Sequence, residues 1–138
     1  MKHVLWFVIV VCMVACEEPL SDAPLEVNDA NEQPWTTAAT ADGTWTISWR
    51  PRGGPIVSAE PIVLEIKIDQ GERSVGLVVD AEMPHHGHGM NFVPEVTGGD
   101  GAWVATGLLF HMPGRWEVAI DVVHNGVTER AQWTVEVE

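Results

Sequence analysis

Eight consecutive residues, Met83-Pro84-His85-His86-Gly87-His88-Gly89-Met90, concentrate the side chains of this sequence that can hold a soft metal ion. A shorter piece, His111-Met112, repeats the pairing further along. Beyond residue 16 the chain has three methionines and five histidines. All three methionines and four of the histidines fall in these two segments, and only His124 lies elsewhere. Random placement rarely produces such a gathering. Thioether sulfur is a soft donor that favours Cu(I), while neutral imidazole serves both Cu(I) and Cu(II). Methionine is also usable in an oxidising compartment, where a free thiolate is at risk. Gly87 and Gly89 let the backbone bend so that several side chains converge, and in an extended segment His86 and His88 point to the same side. The candidate ligands are therefore His86, His88, Met90 and His111, with Met83, His85 and Met112 in reserve. Copper, as Cu(I) or Cu(II), is the expected metal.

Plainer readings compete with this one. Met83 and Met112 end strand-like segments and precede prolines, where methionine serves as a plug in the core. His85 can be a solvated loop residue, and the two glycines can exist for the turn alone. Three histidines would also suit zinc, although zinc has little use for the methionines.

The elements that must position these residues read as strands. Trp45, Ile47 and Trp49 alternate with Thr46 and Ser48; Ile62, Leu64, Ile66 and Ile68 alternate with Val63, Glu65 and Lys67. Val75, Leu77 and Val79 form a third set, and Trp103 with Ala105 begins a fourth. Trp116, Val118, Ile120 and Val122 make another, and Ala131, Trp133, Val135 and Val137 the last. A period of two marks half-buried strands. Asn125-Gly126 is the preferred pair for a type I′ hairpin. Met112-Pro113-Gly114-Arg115 suits a type II turn, and Gly53-Gly54-Pro55 and Gly98-Gly99-Asp100-Gly101 mark loops. No window suggests an amphipathic helix. The expected fold is all-β, an immunoglobulin-like β-sandwich of about seven strands over residues 44–138, with a small barrel as the competing architecture. Five tryptophans within the strands should build its core.

The start of the chain speaks to location. Lys2 and His3 precede an unbroken apolar run, Val4 to Val11, and then Met13-Val14-Ala15-Cys16. The run is too short to span a bilayer, which takes about 20 apolar residues. It reads as a secretory signal over residues 1–15 with a lipobox, in which Met13 stands where leucine is usual and Cys16 receives the lipid. Ordinary secretion, with Cys16 merely near the cleavage point, is the alternative. Cys12 then leaves with the signal and Cys16 carries lipid, so the mature domain has no disulfide and no thiolate ligand. Residues 16–43, rich in Glu, Asp, Pro, Ala and Thr, read as a flexible acidic tether with a reach of about 25–30 Å. Trp35 can pack back on the domain and shorten it. Glu17 is not the Asp associated with inner-membrane retention, which tilts the anchor towards the outer membrane. Removing Met1–Ala15 takes one Lys and no acid, leaving six Lys and Arg against twenty Asp and Glu. Such acidity argues against nucleic acid and against anionic lipid as protein-side-chain partners. It is compatible with attracting cations, or with solubility alone.

Together, Met83-Pro84 with His88-Gly89-Met90, and Gly107-Leu108 with Met112-Pro113-Gly114 and Trp116, resemble the YtkA-like domain family over about residues 45–137. That family comprises small exported or membrane-tethered β-sandwich domains, similar to the FixH-type proteins found around copper-oxidase assembly. The resemblance implies copper handling and, as partner, a copper-handling membrane protein or an oxidase-assembly protein. His86 stands where the family often carries methionine, a departure that either strengthens a preference for Cu(II) or has no effect.

The function expected from these features is a membrane-tethered, extracytoplasmic copper-binding module that buffers, stores or delivers copper. The alternative is a metal-free immunoglobulin-like lipoprotein domain whose His/Met loop is a contact surface. An enzyme is not expected. The chain has no Gly-x-Ser-x-Gly elbow, no His-Glu-x-x-His pair and no phosphate-binding glycine loop. Asp80 and Glu82, beside the histidines, are the groups an acid–base enzyme would have to use. If Cys16 carries the anchor, Cys16→Ser leaves the domain folded and moves it from the membrane fraction to the soluble one. Pelleting of that variant as complete as the parent's would refute the lipoprotein reading.

Overall fold

The computed structural model of the chain describes residues 32–69 and 73–138. The signal sequence read at residues 1–15, the lipidated Cys16 and the tether up to residue 31 lie outside them. The described part is all-β, with nine strands: β1 (Thr36–Ala39), β2 (Thr46–Pro51), β3 (Pro61–Ile68), β4 (Gly76–Met83), β5 (His88–Gly89), β6 (Glu95–Gly99), β7 (Ala102–Leu109), β8 (Gly114–His124) and β9 (Val127–Val137). They form two antiparallel sheets in the orders β1-β2-β3-β7-β6 and β5-β4-β8-β9, a sandwich rather than a barrel. The count exceeds the expected seven because β1 and β5 are too short to show a period in sequence, and β6 has a single apolar side chain, Val96, and ends on Gly98-Gly99, which read as loop.

Burial follows the alternation. Trp45, Ile47, Trp49, Leu64, Ile66, Val79, Ala105, Trp116, Val118, Ile120 and Val122 all lie in the core between the sheets. Trp103 and Trp133 are half-buried and pack against it. Thr46, Lys67, Asp80, Gln132 and Thr134 face outward. In β2 and β9 every outward position is polar, which keeps that side wet while the other closes the sandwich.

The pairing of β3 with β7 contains one register break. The pairs run Val63↔Thr106 and then Ile62↔Leu108, so Gly107 has no partner. Gly107 sits at φ 82°, which glycine adopts without a side-chain penalty. This bulge changes the parity of the strand. Before it Ala105 points inward; after it Leu108 and Phe110 do, both fully buried.

Two local expectations need correction. The tether does not extend to residue 43. β1 pairs with β2 from Thr36↔Trp49 to Ala39↔Thr46, and the Ala41 N–H donates to the Arg130 carbonyl at 3.0 Å. Trp35 lies between Arg50 and Lys67, whose cationic heads are 4.6 and 4.2 Å from the ring centroid. Arg50 also pairs with Glu65 at 2.7 Å, and its guanidinium holds that carboxylate below its ordinary range. β1 escaped notice because it is a largely exposed edge strand with no apolar face to read. The second correction is Met112-Pro113, an open bend rather than a type II turn. Gly114 has φ 125° and already pairs with Val137 as the first residue of β8, so it is committed to the sheet. Asn125 and Gly126, at φ 50° and 78°, do carry the two positive values of a type I′ turn.

Trp116 is fully buried, so Trp116→Ala should cost about 3–5 kcal/mol. Half-buried Trp133→Ala should cost less, and exposed His85→Ala under about 0.5 kcal/mol. Urea midpoints of the full chain check the ranking. A His85→Ala shift as large as that of Trp116→Ala would contradict this packing.

Candidate metal centre

The first segment is a tight hairpin. The Met83 carbonyl accepts the N–H groups of His86 and Gly87, each at 3.0 Å, which turns the chain straight back on itself. Gly87 takes φ 68° in that turn. β5 then pairs with the end of β4, Met83 opposite His88 and Glu82 opposite Gly89, and the Met90 N–H donates to the Ala81 carbonyl at 3.0 Å. Residues opposite each other in an antiparallel pair project to one face. Met83 is buried in the core, so His88 is carried to the inward side at the end of the sandwich. Asp80 and Glu82 occupy the alternate positions and are exposed, facing away from it.

The second segment arrives from the other sheet. Once Gly107 has shifted the parity, Phe110 enters the core and His111 follows at the corner between β7 and β8. The corner is tied down by Trp116, whose indole N–H donates to the Met112 carbonyl at 3.0 Å. Phe110 and His111 both meet the Trp116 ring at 5.3 Å between centroids, at interplanar angles of 88° and 83°. His88 reaches the same ring at 6.1 Å and 66°.

Trp116 thus forms a floor on which the two segments meet. The His88 and His111 rings lie 5.0 Å apart, and the His86 ring lies 5.7 Å from His88. Imidazole nitrogens about 2 Å from one ion leave their ring centres roughly 5–6 Å apart, so the His88–His111 spacing suits a shared cation. Both rings are half-buried, and the Nδ1 atom of each is buried with no hydrogen-bond partner in the protein. Buried polar atoms of that kind call for a water or an ion. The indole nitrogens of Trp49, Trp103 and Trp133 are also buried and unpartnered. An indole N–H can only donate, however, whereas an imidazole nitrogen can offer a lone pair to a metal. His124 makes the contrast: its Nδ1 meets the Ser74 carbonyl at 2.8 Å and its Nε2 the Asn125 amide at 2.9 Å, so both nitrogens are engaged in the fold.

The other candidates are placed less uniformly. Met90 and Met112 are half-buried and pack against the core beside the hairpin and the corner. Met83 is a core residue, with 2% of its surface exposed. His85 and His86 are exposed in the turn. Among the described residues no three His, Cys, Asp or Glu side chains converge closely enough to hold an ion by themselves. The preformed element is therefore a pair, His88 with His111. Sequence reasoning took Trp116 as core only and missed both its role as floor and the Phe110 beside it. The legible signal was a glycine inside a strand, Gly107, followed by apolar residues of the opposite parity.

No family model, no curated protein and no solved structure matches this chain.

A buried nitrogen that finds no hydrogen-bond partner costs about 1–3 kcal/mol. His111→Phe, which removes one such nitrogen and keeps a ring against Trp116, should stabilise the metal-free chain by on the order of 1 kcal/mol. A urea midpoint that falls by that amount would mean that the His111 ring is already satisfied.

Proposed function

We propose that this chain is a membrane-tethered, extracytoplasmic copper-binding module that buffers, stores or delivers copper, with His88 and His111 as its central ligands. The observation that carries the reading is the meeting of two buried, unpartnered imidazole nitrogens from separate segments on the Trp116 floor. The neighbouring thioethers Met90 and Met112 are soft donors, and the nearby carboxylates Asp80 and Glu82 are exposed on the outer side of β4. Cu(I) accepts such a sparse nitrogen and sulfur set, whereas Cu(II) prefers a tetragonal set of nitrogen and oxygen donors. Zinc would want a closed tetrahedron of donors. The lipobox ending at Cys16 and the resemblance to YtkA-like domains support the same reading, with the anchor holding the domain at a bacterial membrane and a copper-handling membrane protein as partner.

One observation favours a second reading, a metal-free interaction domain. Phe92 and Val93, just after Met90, are 60% and 90% exposed, and with Pro61 and Leu109 they line an apolar groove of about 420 Å³. Exposed apolar surface of this kind marks contact sites.

Titration of the full chain against a competing chelator separates the two. The copper reading expects about one copper per chain, with His88→Ala and His111→Ala as the costliest single changes. Met90→Leu keeps the volume but removes the sulfur, so it should weaken Cu(I) more than Cu(II). Binding should fade on acidification, because an imidazolium has no lone pair to give. Copper affinity no better than that of a His88→Ala/His111→Ala double variant would leave the interaction domain as the function.

A further inference from the structure

Resting on the copper reading, we infer that His86 is not a resident ligand but the exchange ligand through which copper reaches and leaves the His88–His111 pair. The three rings form a graded series. His86 is exposed in the hairpin turn, while His88 and His111 are half-buried with their Nδ1 atoms enclosed. The His86 ring lies 5.7 Å from His88, and His88 lies 5.0 Å from His111. Each step is within the span of two imidazoles on one ion, yet the three do not converge on a common point. In this arrangement no single position serves all three rings, so an ion bonded to His88 and His111 is not bonded to His86 as well. An ion held by His86 and His88 is still open to solvent and to the donors of a carrier.

Transfer then proceeds by ligand substitution with copper remaining Cu(I). His86 forms an N–Cu bond with its own lone pair as one carrier donor takes its pair back, and His88 displaces a second donor. His111 next binds through its lone pair while the His86–Cu bond breaks and its nitrogen regains its pair. No electron is transferred and no co-reactant is needed. The His86 backbone N–H is fixed on the Met83 carbonyl at 3.0 Å, which keeps the side chain at the rim of the site rather than free on a loop. His85, the neighbouring exposed histidine of the same turn, stands outside this series of ring contacts and serves as the control.

Because His86 is bonded in the path but not in the final state, its loss must slow uptake and release alike and leave the equilibrium nearly untouched. The test follows Cu(I) moving between the full chain and bathocuproine disulfonate, in both directions, by stopped-flow absorbance. His86→Ala should slow both rates by about tenfold while Kd changes by less than about threefold; His85→Ala should change neither. A loss of affinity in His86→Ala as large as in His88→Ala would make His86 a resident ligand and overturn the inference. Unchanged rates in His86→Ala, or an equal slowing in His85→Ala, would also overturn it. Failure of the copper reading itself looks different: the unaltered chain would then hold Cu(I) no better than the His88→Ala/His111→Ala variant.

Discussion

Trp116 holds together the end of the molecule on which the functional reading depends. Its ring is fully buried, with Phe110, His88 and His111 all set edge-on around it, and its one polar atom is spent on the Met112 carbonyl. That hydrogen bond fixes the corner between β7 and β8 without consuming any side chain that could bind a metal. The T-shaped arrangement is the favoured one for aromatic pairs and holds the two imidazoles by their edges. Removing the indole would therefore release the corner and both rings together. A side chain classed from its alternation as core proves also to be the support of the site.

Two backbone devices assemble that end of the molecule. One is the five-residue reversal from Met83 to Gly87, which returns β5 against the end of β4 and so gives His88 the inward side of Met83. The other is the bulge at Gly107, which moves Leu108 and Phe110 into the core, with His111 next in the corner beyond β7. Without the extra residue alternation would turn Phe110 away from the core, and Trp116 would lose the ring that packs on it beside His111. A bulge re-aims side chains at the rim of a sheet at little cost in pairing. Its position, shortly before one of the two His/Met segments, makes it part of how the site is built.

Much of the fold was legible because alternation in β8, β9 and β3 is long and regular, and because Asn125-Gly126 can hardly be anything but a tight hairpin. The short strands were not. β1 has no apolar face, and β5 comprises two residues whose pairing depends on the turn before them rather than on any pattern. Within the site, spacing singled out the histidines and methionines but could not grade them. His88 and His111 are distinguished from His85 and His86 by burial, and burial comes from the partner strand, Phe110 and Trp116. None of these is a property of the His/Met segment itself. Met83, by contrast, was read with a core role among its possibilities, because a methionine at a strand end before proline has the sandwich at its back.

Everything proposed for this chain turns on His88 and His111 sharing one cation in preference to every other histidine. Cu(I) is diamagnetic, so nitrogen-15 NMR of the imidazole rings of the full chain, recorded as Cu(I) is added, tests it directly. With a shared ion, the ring nitrogens of His88 and His111 should shift together and saturate at about one equivalent, while those of His124, already engaged by Ser74 and Asn125, stay where they are. Resonances of His88 and His111 that remain unmoved, or that move no more than those of His124, would contradict it.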